Sequence, residues 1–510
     1  MLSSRFDFTA PVPPAEQLGP VHLIAIGGSG VSGVARMFLA RGIPVSGSDR
    51  SDSPALRALE AEGARVHVGH DAAHLGAAQT VVISGAIRED NPELAAARAA
   101  GLRVLHRAQG IASLLAGRGV IAVAGANGKT TTSAMTTTAL QAAGLEPGYV
   151  IGAPLASTGA NAAPGGEGSP VVVEADESDG SFLAYRPDVA VVTNVQPDHL
   201  DFYGDLEALE QAYLDFVLTL RPGGLLVTHA DDPGAARLAQ LARDRGIRVL
   251  TWGEGADADV RLTDVASAGM RSSGTLTFTR TAGQVREGTT VSLALPVPGE
   301  HNVHNATAAL LAAVVGVGAA MDRALAGLSA FAGAHRRLEL VGRHGAVEVV
   351  DDYAHNAPKV GAAVRAARSA ANGRRVVVAF QPHLFSRTRD FADGFAQGLA
   401  AADVAVLLPV YGAREAQEDY PDVTSGLLAT LVRQSPEAPE VHEAQGLDDA
   451  TRLLARLVEG RDDLVLTIGA GDVTEVGPRL LTRLAEGDTG HDEGGEDGTG
   501  HSPDQDGGAA

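Results

Sequence analysis

The sequence predicts an α/β protein whose sheets are mainly parallel and covered by helices on both faces. Short runs rich in valine and isoleucine, such as VHLIAIGG, GVIAVAG, VAVVTNV and DLVLTIGAG, alternate with segments rich in alanine and leucine along the 510 residues. Near-continuous apolar strands separated by helices are typical of such parallel sheets. The order strand, glycine-rich turn, helix recurs at residues 21–40, 119–140 and 464–482, so we expect three domains.

Changes in composition predict where the domains meet. We expect one boundary near residues 117–119 and another near 331–333. The resulting segments are an N-terminal extension (1–18), three domains (19–117, 118–333 and 334–486) and an acidic tail (487–510). Within the middle domain, residues 251–298 contain alternating patterns such as TLTFTR, which predict antiparallel strands. The tail offers almost no apolar surface, so we expect it to be disordered.

Composition also excludes several classes of protein. With no cysteine, the chain has no disulfide framework, cysteine zinc site or cysteine nucleophile. A formal net charge of −22 argues against sequence-independent nucleic-acid binding. The N-terminus lacks the apolar core of a secretory signal. The longest uncharged apolar stretch, residues 306–321, is shorter than the roughly 20 residues that span a bilayer, so it predicts a buried helix. We therefore expect a cytoplasmic protein without membrane insertion.

The first strand is followed by a glycine-rich turn. Gly28, Gly30 and Gly33 open a helix directly after VHLIAI, and Asp49 ends the next strand. Glycines in this position let the backbone approach a diphosphate, whose charge lies at the helix N-terminus. The turn, with Ser29, therefore predicts a nucleotide site, and both NAD and a nucleotide sugar fit it.

A second glycine-rich loop has the sequence GANGKTT at residues 125–131. Only two of the 40 basic residues are lysines, and one of them, Lys129, lies in this loop; the other is Lys359. Backbone N–H groups of such a loop surround phosphates, the lysine reaches the terminal phosphate oxygens, and the Thr130 hydroxyl can bind Mg²⁺. We predict a nucleoside triphosphate site formed by Gly125, Asn127, Gly128, Lys129, Thr130 and Thr131.

Acidic residues follow two later strands of the same domain. The motif EADESD places Glu174 at one strand end, and TNVQPDHLD places Asp198 and His199 after the next. Carboxylates beside a phosphate loop commonly complete a magnesium site. We therefore predict that Glu174 binds Mg²⁺ with Thr130, and that His199 is a ligand of a second Mg²⁺.

These motifs occur in an order that resembles the Mur ligase family, ATP-dependent enzymes that build the peptide of the peptidoglycan precursor. The resemblance covers residues 19–485 and includes the further blocks PGEHNVHNATAA, FAGAHRRLE, VVDDYAHNAP, AFQPHLFSRTRD and TIGAGD. It is greatest to the branch that adds L-alanine to UDP-N-acetylmuramate. It implies a Rossmann-like N-terminal domain, a central P-loop ATPase domain and a Rossmann-like C-terminal domain.

The resemblance implies roles for individual residues. The first domain would bind the UDP moiety through Gly28, Ser29, Gly30, Gly33 and Asp49. The ATP site would extend to His301, Asn302, Asn305, Arg337 and Asp352. The amino acid would be bound by His355, His383 and Arg387, with His355 a candidate base. Catalysis would depend on Lys129, Glu174, His199 and Arg337: ATP would convert the substrate carboxylate to an acyl phosphate, which the amine of the amino acid then attacks.

The chain also departs from the pattern of this branch. The phosphate loop contains Ala126 and Asn127 where a threonine and a histidine are usual. In the third domain, Asn356 follows His355 and Leu384 follows His383, and both changes bear on amino-acid specificity. Some other branches use a carbamylated lysine in the middle domain, and this chain has no lysine there after Lys129.

Three alternatives remain at this stage. A peptide-adding ligase of cell-wall recycling would share the ATP site and differ in the amino-acid pocket. An NAD-linked oxidoreductase would explain the first glycine-rich turn but not the phosphate loop or the acidic strand ends. A catalytically inactive nucleotide-binding regulator would be expected to lack Lys129, Thr130 or Glu174, and all three are present.

Overall fold

The structure is a computed structural model that describes residues 5–333, 335–413 and 415–489. Its strands form three sheets of five, ten and six strands. Each sheet lies within one of the three residue ranges predicted as domains. The chain divides into two compact units between Arg337 and Leu338, and the first unit contains the first two sheets.

The first sheet is parallel throughout, in the order β3-β2-β1-β4-β5. Its strands are β1 (Val21–Ile24), β2 (Val45–Asp49), β3 (Arg65–Val68), β4 (Thr80–Ile83) and β5 (Arg103–His106). The helices are α1 (Ser29–Ala40), α2 (Pro54–Ala61), α3 (Pro92–Ala99) and α4 (Arg107–Leu114). Phe8 and Leu18, from the predicted N-terminal extension, are buried in the same core. Because β1, β4 and β5 are parallel neighbours, the loops after them share one edge of the sheet.

The second sheet has the order β15-β14-β13-β12-β11-β10-β6-β9-β7-β8. Its strands are β6 (Val120–Ala124), β7 (Gly148–Val150), β8 (Ala162–Ala163), β9 (Val171–Glu174), β10 (Val189–Val192), β11 (Leu225–His229), β12 (Arg248–Gly253), β13 (Val260–Ala268), β14 (Arg271–Phe278) and β15 (Thr290–Leu295). The helices are α5 (Lys129–Ala142), α6 (Leu200–Tyr203), α7 (Leu206–Leu218), α8 (Pro233–Asp244), α9 (Glu300–Leu311) and α10 (Met321–Ser329). The predicted antiparallel strands are β13, β14 and β15, whereas residues 251–253 belong to the parallel strand β12.

The buried helix predicted at residues 306–321 ends earlier than expected. Helix α9 continues into a π-helical turn at Ala312–Val317, and Gly318, with φ +84°, ends it. Residues 306–313 are fully buried, as predicted. Among the described residues, no helix is both long enough and apolar enough to cross a membrane.

The third sheet has the order β16-β17-β21-β18-β19-β20, and only β16 is antiparallel to its neighbour. Its strands are β16 (Glu339–His344), β17 (Val347–Asp352), β18 (Arg375–Phe380), β19 (Val404–Leu407), β20 (Glu440–Glu443) and β21 (Asp463–Ile468). The helices are α11 (Ala357–Ala371), α12 (Phe385–Asp390), α13 (Ala392–Leu399), α14 (Ser425–Arg433), α15 (Leu447–Val458) and α16 (Val476–Thr489). Helix α16 thus extends past the predicted start of the disordered tail at residue 487, and residues 490–510 lie outside the described residues.

Candidate active site

The loop between β6 and α5 can be built only with glycine at two positions. Gly125 has φ +132° and Gly128 has φ +88°, which side chains other than glycine rarely adopt. A Cβ atom added to Gly125 would lie 2.0 Å from Oγ1 of Thr193, and one added to Gly128 would lie 2.5 Å from Oδ1 of Asn305. Helix α5 begins at Lys129, so its first N–H groups are open to an anion in this loop.

Lys129 is held in this loop by a buried carboxylate. Its Nζ donates to Oε1 and Oε2 of Glu177, at 2.7 and 2.8 Å, and to the carbonyl of Gly125, at 2.8 Å. The side chain of Lys129 is 13% exposed and that of Glu177 is 1% exposed. Burial by itself would lower the pKa of Lys129, but the charges of Glu177 and Asp176 outweigh it and raise the pKa. The ammonium group therefore stays charged at neutral pH.

Two groups of side chains beside Lys129 have the donor atoms of a cation site. Oγ1 of Thr130 donates to Oε1 of Glu174 at 3.1 Å, so the two predicted ligands are brought together. The other oxygen of Glu174 accepts from the Gly152 N–H at 2.7 Å. In the second group, one ligand atom each from Glu177, Asp198 and His199 lie within 4.8 Å of one another. Mg²⁺ prefers oxygen ligands, which the first group supplies throughout, whereas the second group supplies two carboxylates and one imidazole nitrogen.

Sequence reasoning missed the position of Glu177. It appeared only as one acid of the EADESD turn, whereas the structure puts its carboxylate between Lys129 and the group of Asp198 and His199. Its partner Lys129 is 48 residues away in the sequence, and no local pattern predicts that contact.

Helix α9 brings its first turns to the phosphate loop. Oδ1 of Asn305 accepts from the Thr132 hydroxyl at 3.2 Å, and Nδ2 of Asn305 donates to Oδ1 of Asn302 at 3.1 Å. His301 lies in the same two turns, and burial, then the charge of His304, lower its pKa. Of the residues predicted for ATP, Asn305 therefore lies against the loop and Asn302 is bonded to Asn305, whereas His301 is placed only in the same helix. Thr131 lies in the first turn of α5, and Asn127 donates its N–H to Oδ1 of Asn194 at 2.9 Å.

Two of the features predicted for the UDP moiety, the turn after β1 and Asp49 at the end of β2, come together at one edge of the first sheet. The Gly27 N–H donates to Oδ2 of Asp49 at 2.9 Å, and Gly28 precedes α1, which begins at Ser29. A Cβ atom added to Gly33 would lie 2.8 Å from the side chain of Ala162, so only glycine allows α1 to pack this closely against the middle domain. A Cβ atom added to Gly30 would lie 2.0 Å from Nη1 of Arg107, a residue that the sequence did not single out.

Arg337 and Asp352 lie on different compact units. Arg337 is the last residue of the first unit. Asp352 ends β17 in the second unit, where its carboxylate accepts from the N–H groups of Leu338, at 2.9 Å, and Ala354, at 2.8 Å. These bonds give Asp352 a part in shaping the chain around the end of β17.

The second unit brings together the three residues predicted for the amino acid. The rings of His355 and His383 have centroids 6.0 Å apart, and Nη1 of Arg387 donates to the carbonyl of His355 at 3.4 Å. Burial lowers the pKa of His355 to about 4, so its imidazole is neutral at pH 7. The two departures from the family pattern have local explanations: Asn356 caps α11 by accepting from the Lys359 N–H at 3.0 Å, and Leu384 is buried.

Comparison with protein families matches three consecutive models. The Mur ligase family catalytic domain matches residues 20–118, the Mur ligase middle domain 123–313, and the Mur ligase glutamate ligase domain 336–471. The matches include the phosphate loop and acidic strand ends, which an NAD-linked oxidoreductase would leave unexplained.

Individual relatives match nearly the whole chain. The UDP-N-acetylmuramate–L-alanine ligase of Kineococcus radiotolerans is 52% identical over 94% of this chain and 98% of the relative. The enzyme of the same name from Thermobifida fusca is 46% identical over 94% of this chain and 100% of the relative.

Solved structures agree with the sequence relatives. The UDP-N-acetylmuramate–alanine ligase of Thermotoga maritima has a TM-score of 0.73 at 26% identity, covering 92% of this chain and 99% of that structure. A murein peptide ligase from Psychrobacter arcticus has a TM-score of 0.65 at 25% identity, covering 91% and 98%. With three domain models in order and relatives about half identical over almost its full length, the chain belongs to the Mur ligase family.

Proposed function

We propose that this chain is an ATP-dependent ligase that joins L-alanine to the carboxylate of UDP-N-acetylmuramate in peptidoglycan precursor synthesis. The observation that carries the proposal is the charged Lys129 ammonium in a phosphate loop, with two cation-binding groups beside it. Relatives named for this reaction, 46–52% identical to the chain, support the choice of substrates.

The phosphate loop would bind and polarise ATP. The N–H groups at the start of α5 would receive the phosphates, and Lys129 would exchange its bonds to Glu177 for bonds to the terminal phosphoryl group. Thr130 with Glu174, and Glu177 with Asp198 and His199, would hold Mg²⁺. Bound Mg²⁺ supplies positive charge that stabilises phosphoryl transfer. His301, Asn302, Asn305, Arg337 and Asp352 are proposed to bind the rest of the nucleotide.

The reaction would couple the cleavage of ATP to the formation of the amide bond in two steps. A carboxylate oxygen of the muramic acid attacks the terminal phosphorus, ADP leaves, and an acyl phosphate forms. The amine of alanine then attacks the acyl carbon, phosphate leaves, and the amine loses a proton. A pKa of about 4 makes His355 a weak base, so we assign it, with His383 and Arg387, to amino-acid binding.

A phosphate-release assay tests this proposal. Phosphate release is expected only when ATP, Mg²⁺, UDP-N-acetylmuramate and L-alanine are all present. A panel of other amino acids and of the tripeptide L-alanyl-D-glutamyl-diaminopimelate serves as the comparison. Turnover with the tripeptide and not with alanine would replace the proposal by a peptide-adding ligase, and no turnover with any acceptor would overturn it.

Removal of the metal tests the magnesium assignment separately. Chelation with EDTA is expected to stop phosphate release and excess Mg²⁺ to restore it, because Lys129 alone leaves most of the triphosphate charge uncompensated. Full activity in EDTA would contradict the proposed metal sites. We expect the reaction to take place in the cytoplasm, where ATP and nucleotide sugars are available.

A further inference from the structure

The second cation group, Glu177, Asp198 and His199, is formed by two loops that leave the sheet from strands that are not neighbours. Glu177 follows β9, whereas Asp198 and His199 follow β10, and β6 lies between these two strands. Because neighbouring strands lie about 4.8 Å apart, the two loops begin roughly 10 Å from each other. Their ligand atoms nevertheless lie within 4.8 Å of one another. A contact beyond the edge of the sheet is therefore needed to keep the loops together.

The hydroxyl group of Tyr203 makes such a contact. It donates to the main-chain carbonyl of Glu177, which also accepts from the Gly180 N–H at 3.1 Å. Tyr203 is only 8% exposed, so water has little access to compete for this bond. Of the hydrogen bonds between described residues, it is the one that directly joins the loop of Glu177 to the loop of His199.

Tyr203 also ends the helical turn that begins beside His199. Helix α6 spans Leu200–Tyr203, and the carbonyl of His199 accepts from the N–H groups of Phe202, at 2.9 Å, and Tyr203, at 3.1 Å. His199 has φ +53°, a left-handed conformation that is uncommon for a residue with a side chain and that the surrounding structure has to maintain. Tyr203 is thus connected to His199 through this turn and to Glu177 through its hydroxyl.

A second buried tyrosine shows that the core does not require every hydroxyl to be bonded. Tyr213 of α7 belongs to the same hydrophobic core as Tyr203 and packs edge-on against Phe182, with ring centroids 5.6 Å apart. Among the described residues, its buried hydroxyl has no hydrogen-bond partner. The hydroxyl of Tyr203, in contrast, is directed at the main chain of a residue in the cation group.

We propose that Tyr203 is a positioning residue, which holds Glu177 and His199 at the separation that lets them bind one divalent cation. This inference rests on the proposed function, which assigns Mg²⁺ to the group of Glu177, Asp198 and His199. Without the hydroxyl, the loop of Glu177 and helix α6 would be less firmly joined. The cation would then have to bring the ligands together, which lowers its affinity. Loss of a residue that orients metal ligands typically weakens metal binding by about 10- to 100-fold.

Binding of Mn²⁺ alone tests this inference, with free Mn²⁺ measured by electron paramagnetic resonance in the absence of nucleotide. The variant Tyr203→Phe, which removes only the hydroxyl, is expected to bind Mn²⁺ about tenfold more weakly at this group. The variant His199→Gly identifies the group, because it removes the imidazole and glycine readily adopts the left-handed conformation. Unchanged Mn²⁺ affinity in Tyr203→Phe, or Mn²⁺ binding that is absent from the unaltered chain or insensitive to His199→Gly, would overturn the inference.

Steady-state kinetics provide a second readout that a purely structural role would not change. In Tyr203→Phe, the Mg²⁺ concentration for half-maximal phosphate release should rise, and excess Mg²⁺ should restore kcat. KM for L-alanine should stay the same. A lower kcat that excess Mg²⁺ does not restore would overturn the positioning role.

The variant Tyr213→Phe is the matched control. It also removes a buried tyrosine hydroxyl from this core, but one that has no hydrogen-bond partner among the described residues. Mn²⁺ affinity and the Mg²⁺ dependence of phosphate release should therefore be unchanged. An equal weakening of Mn²⁺ binding in Tyr213→Phe would attribute the effect to the core as a whole and would contradict a specific role of Tyr203.

The outcome also separates this inference from the proposed function. If the unaltered chain releases phosphate with UDP-N-acetylmuramate and alanine but Tyr203→Phe keeps its Mn²⁺ affinity, only the inference fails. If Mn²⁺ binding depends on Tyr203 and His199 but this substrate pair gives no turnover, the substrate assignment fails and the positioning role stands. Melting temperatures of the variants without metal establish that they are folded.

Discussion

At the scale of single residues, we expect the pair of Lys129 and Glu177 to have both a catalytic and a structural role. Both side chains are buried, and each is the main counter-charge of the other. Lys129→Met is therefore expected to abolish phosphate release and to destabilise the first compact unit. Removing one partner of a buried ion pair typically costs about 3–5 kcal/mol, because the other charge stays buried and unpaired. Thermal unfolding and the phosphate-release assay measure the two effects.

The double variant Lys129→Met/Glu177→Gln separates these roles. It should recover most of the lost stability, since no unpaired charge is left, and it should remain inactive, since the phosphoryl group has lost its ammonium partner. A double variant as unstable as Lys129→Met would show that the bond from Lys129 to the Gly125 carbonyl carries the stability instead.

His106 is a second residue with a measurable electrostatic effect. Its Nδ1 accepts from the Ala108 N–H at 3.2 Å and so caps α4, which requires a neutral ring. Burial lowers its pKa to about 4, and the nearby Asp179 only partly opposes this. The folded chain therefore binds fewer protons at His106 than the unfolded chain does between pH 6.5 and pH 4. The free energy of unfolding should fall as the pH falls through this range, by about 3 kcal/mol at most.

His106→Asn isolates this contribution. Asparagine also caps helix N-termini but does not titrate. The melting temperature of the unaltered chain should drop more between pH 7 and pH 5 than that of His106→Asn. Equal drops would show that His106 does not contribute to the acid sensitivity of the fold.

At the scale of secondary-structure elements, helix α5 carries an unusual number of buried hydroxyl groups behind the phosphate loop. Thr136 and Thr137 donate to the carbonyls four residues earlier, at 2.7 and 2.9 Å. Among the described residues, the buried hydroxyl of Ser133 has no partner. An unsatisfied buried hydroxyl is unfavourable, and alanine is the better helix former.

Ser133→Ala should therefore stabilise the chain, by about 1–2 kcal/mol. Urea denaturation measures the change, and Thr136→Val, which removes a satisfied hydroxyl from the same helix, is the matched control that should show no gain. A loss of stability in Ser133→Ala would show that this hydroxyl has a partner in solution.

The elements differ in how far the sequence could predict them. The turn from β1 to α1 and the loop from β6 to α5 were predictable, because glycines at fixed spacing after an apolar strand determine both locally. The end of the buried helix was not: the apolar composition continues to Met321, but Gly318 adopts a left-handed conformation and stops it. The contacts of Lys129 with Glu177 and of Arg107 with Gly30 join residues far apart in sequence, so only the tertiary structure reveals them.

At the scale of the whole molecule, three sheets are distributed over two compact units. The first unit contains the glycine-rich turn proposed for UDP, from Gly28 to Asp49, and the phosphate loop proposed for ATP. The second contains the proposed amino-acid residues His355, His383 and Arg387. Each unit has hydrophobic cores formed by its own residues, so the two need not unfold together.

Calorimetry of the full chain should resolve two unfolding transitions. UDP should raise the midpoint temperature of only one of them. All residues proposed to contact UDP, from Gly28 to Asp49, precede Leu338, so binding is expected to stabilise the first unit. At a hundred times its dissociation constant, a ligand that binds only the folded state adds about 2.7 kcal/mol. The variant Lys129→Met identifies the transition of the first unit, because it should lower the same midpoint temperature that UDP raises. An effect of UDP confined to the other transition would contradict the location of the site, and a single transition would contradict the expectation that the two units unfold separately.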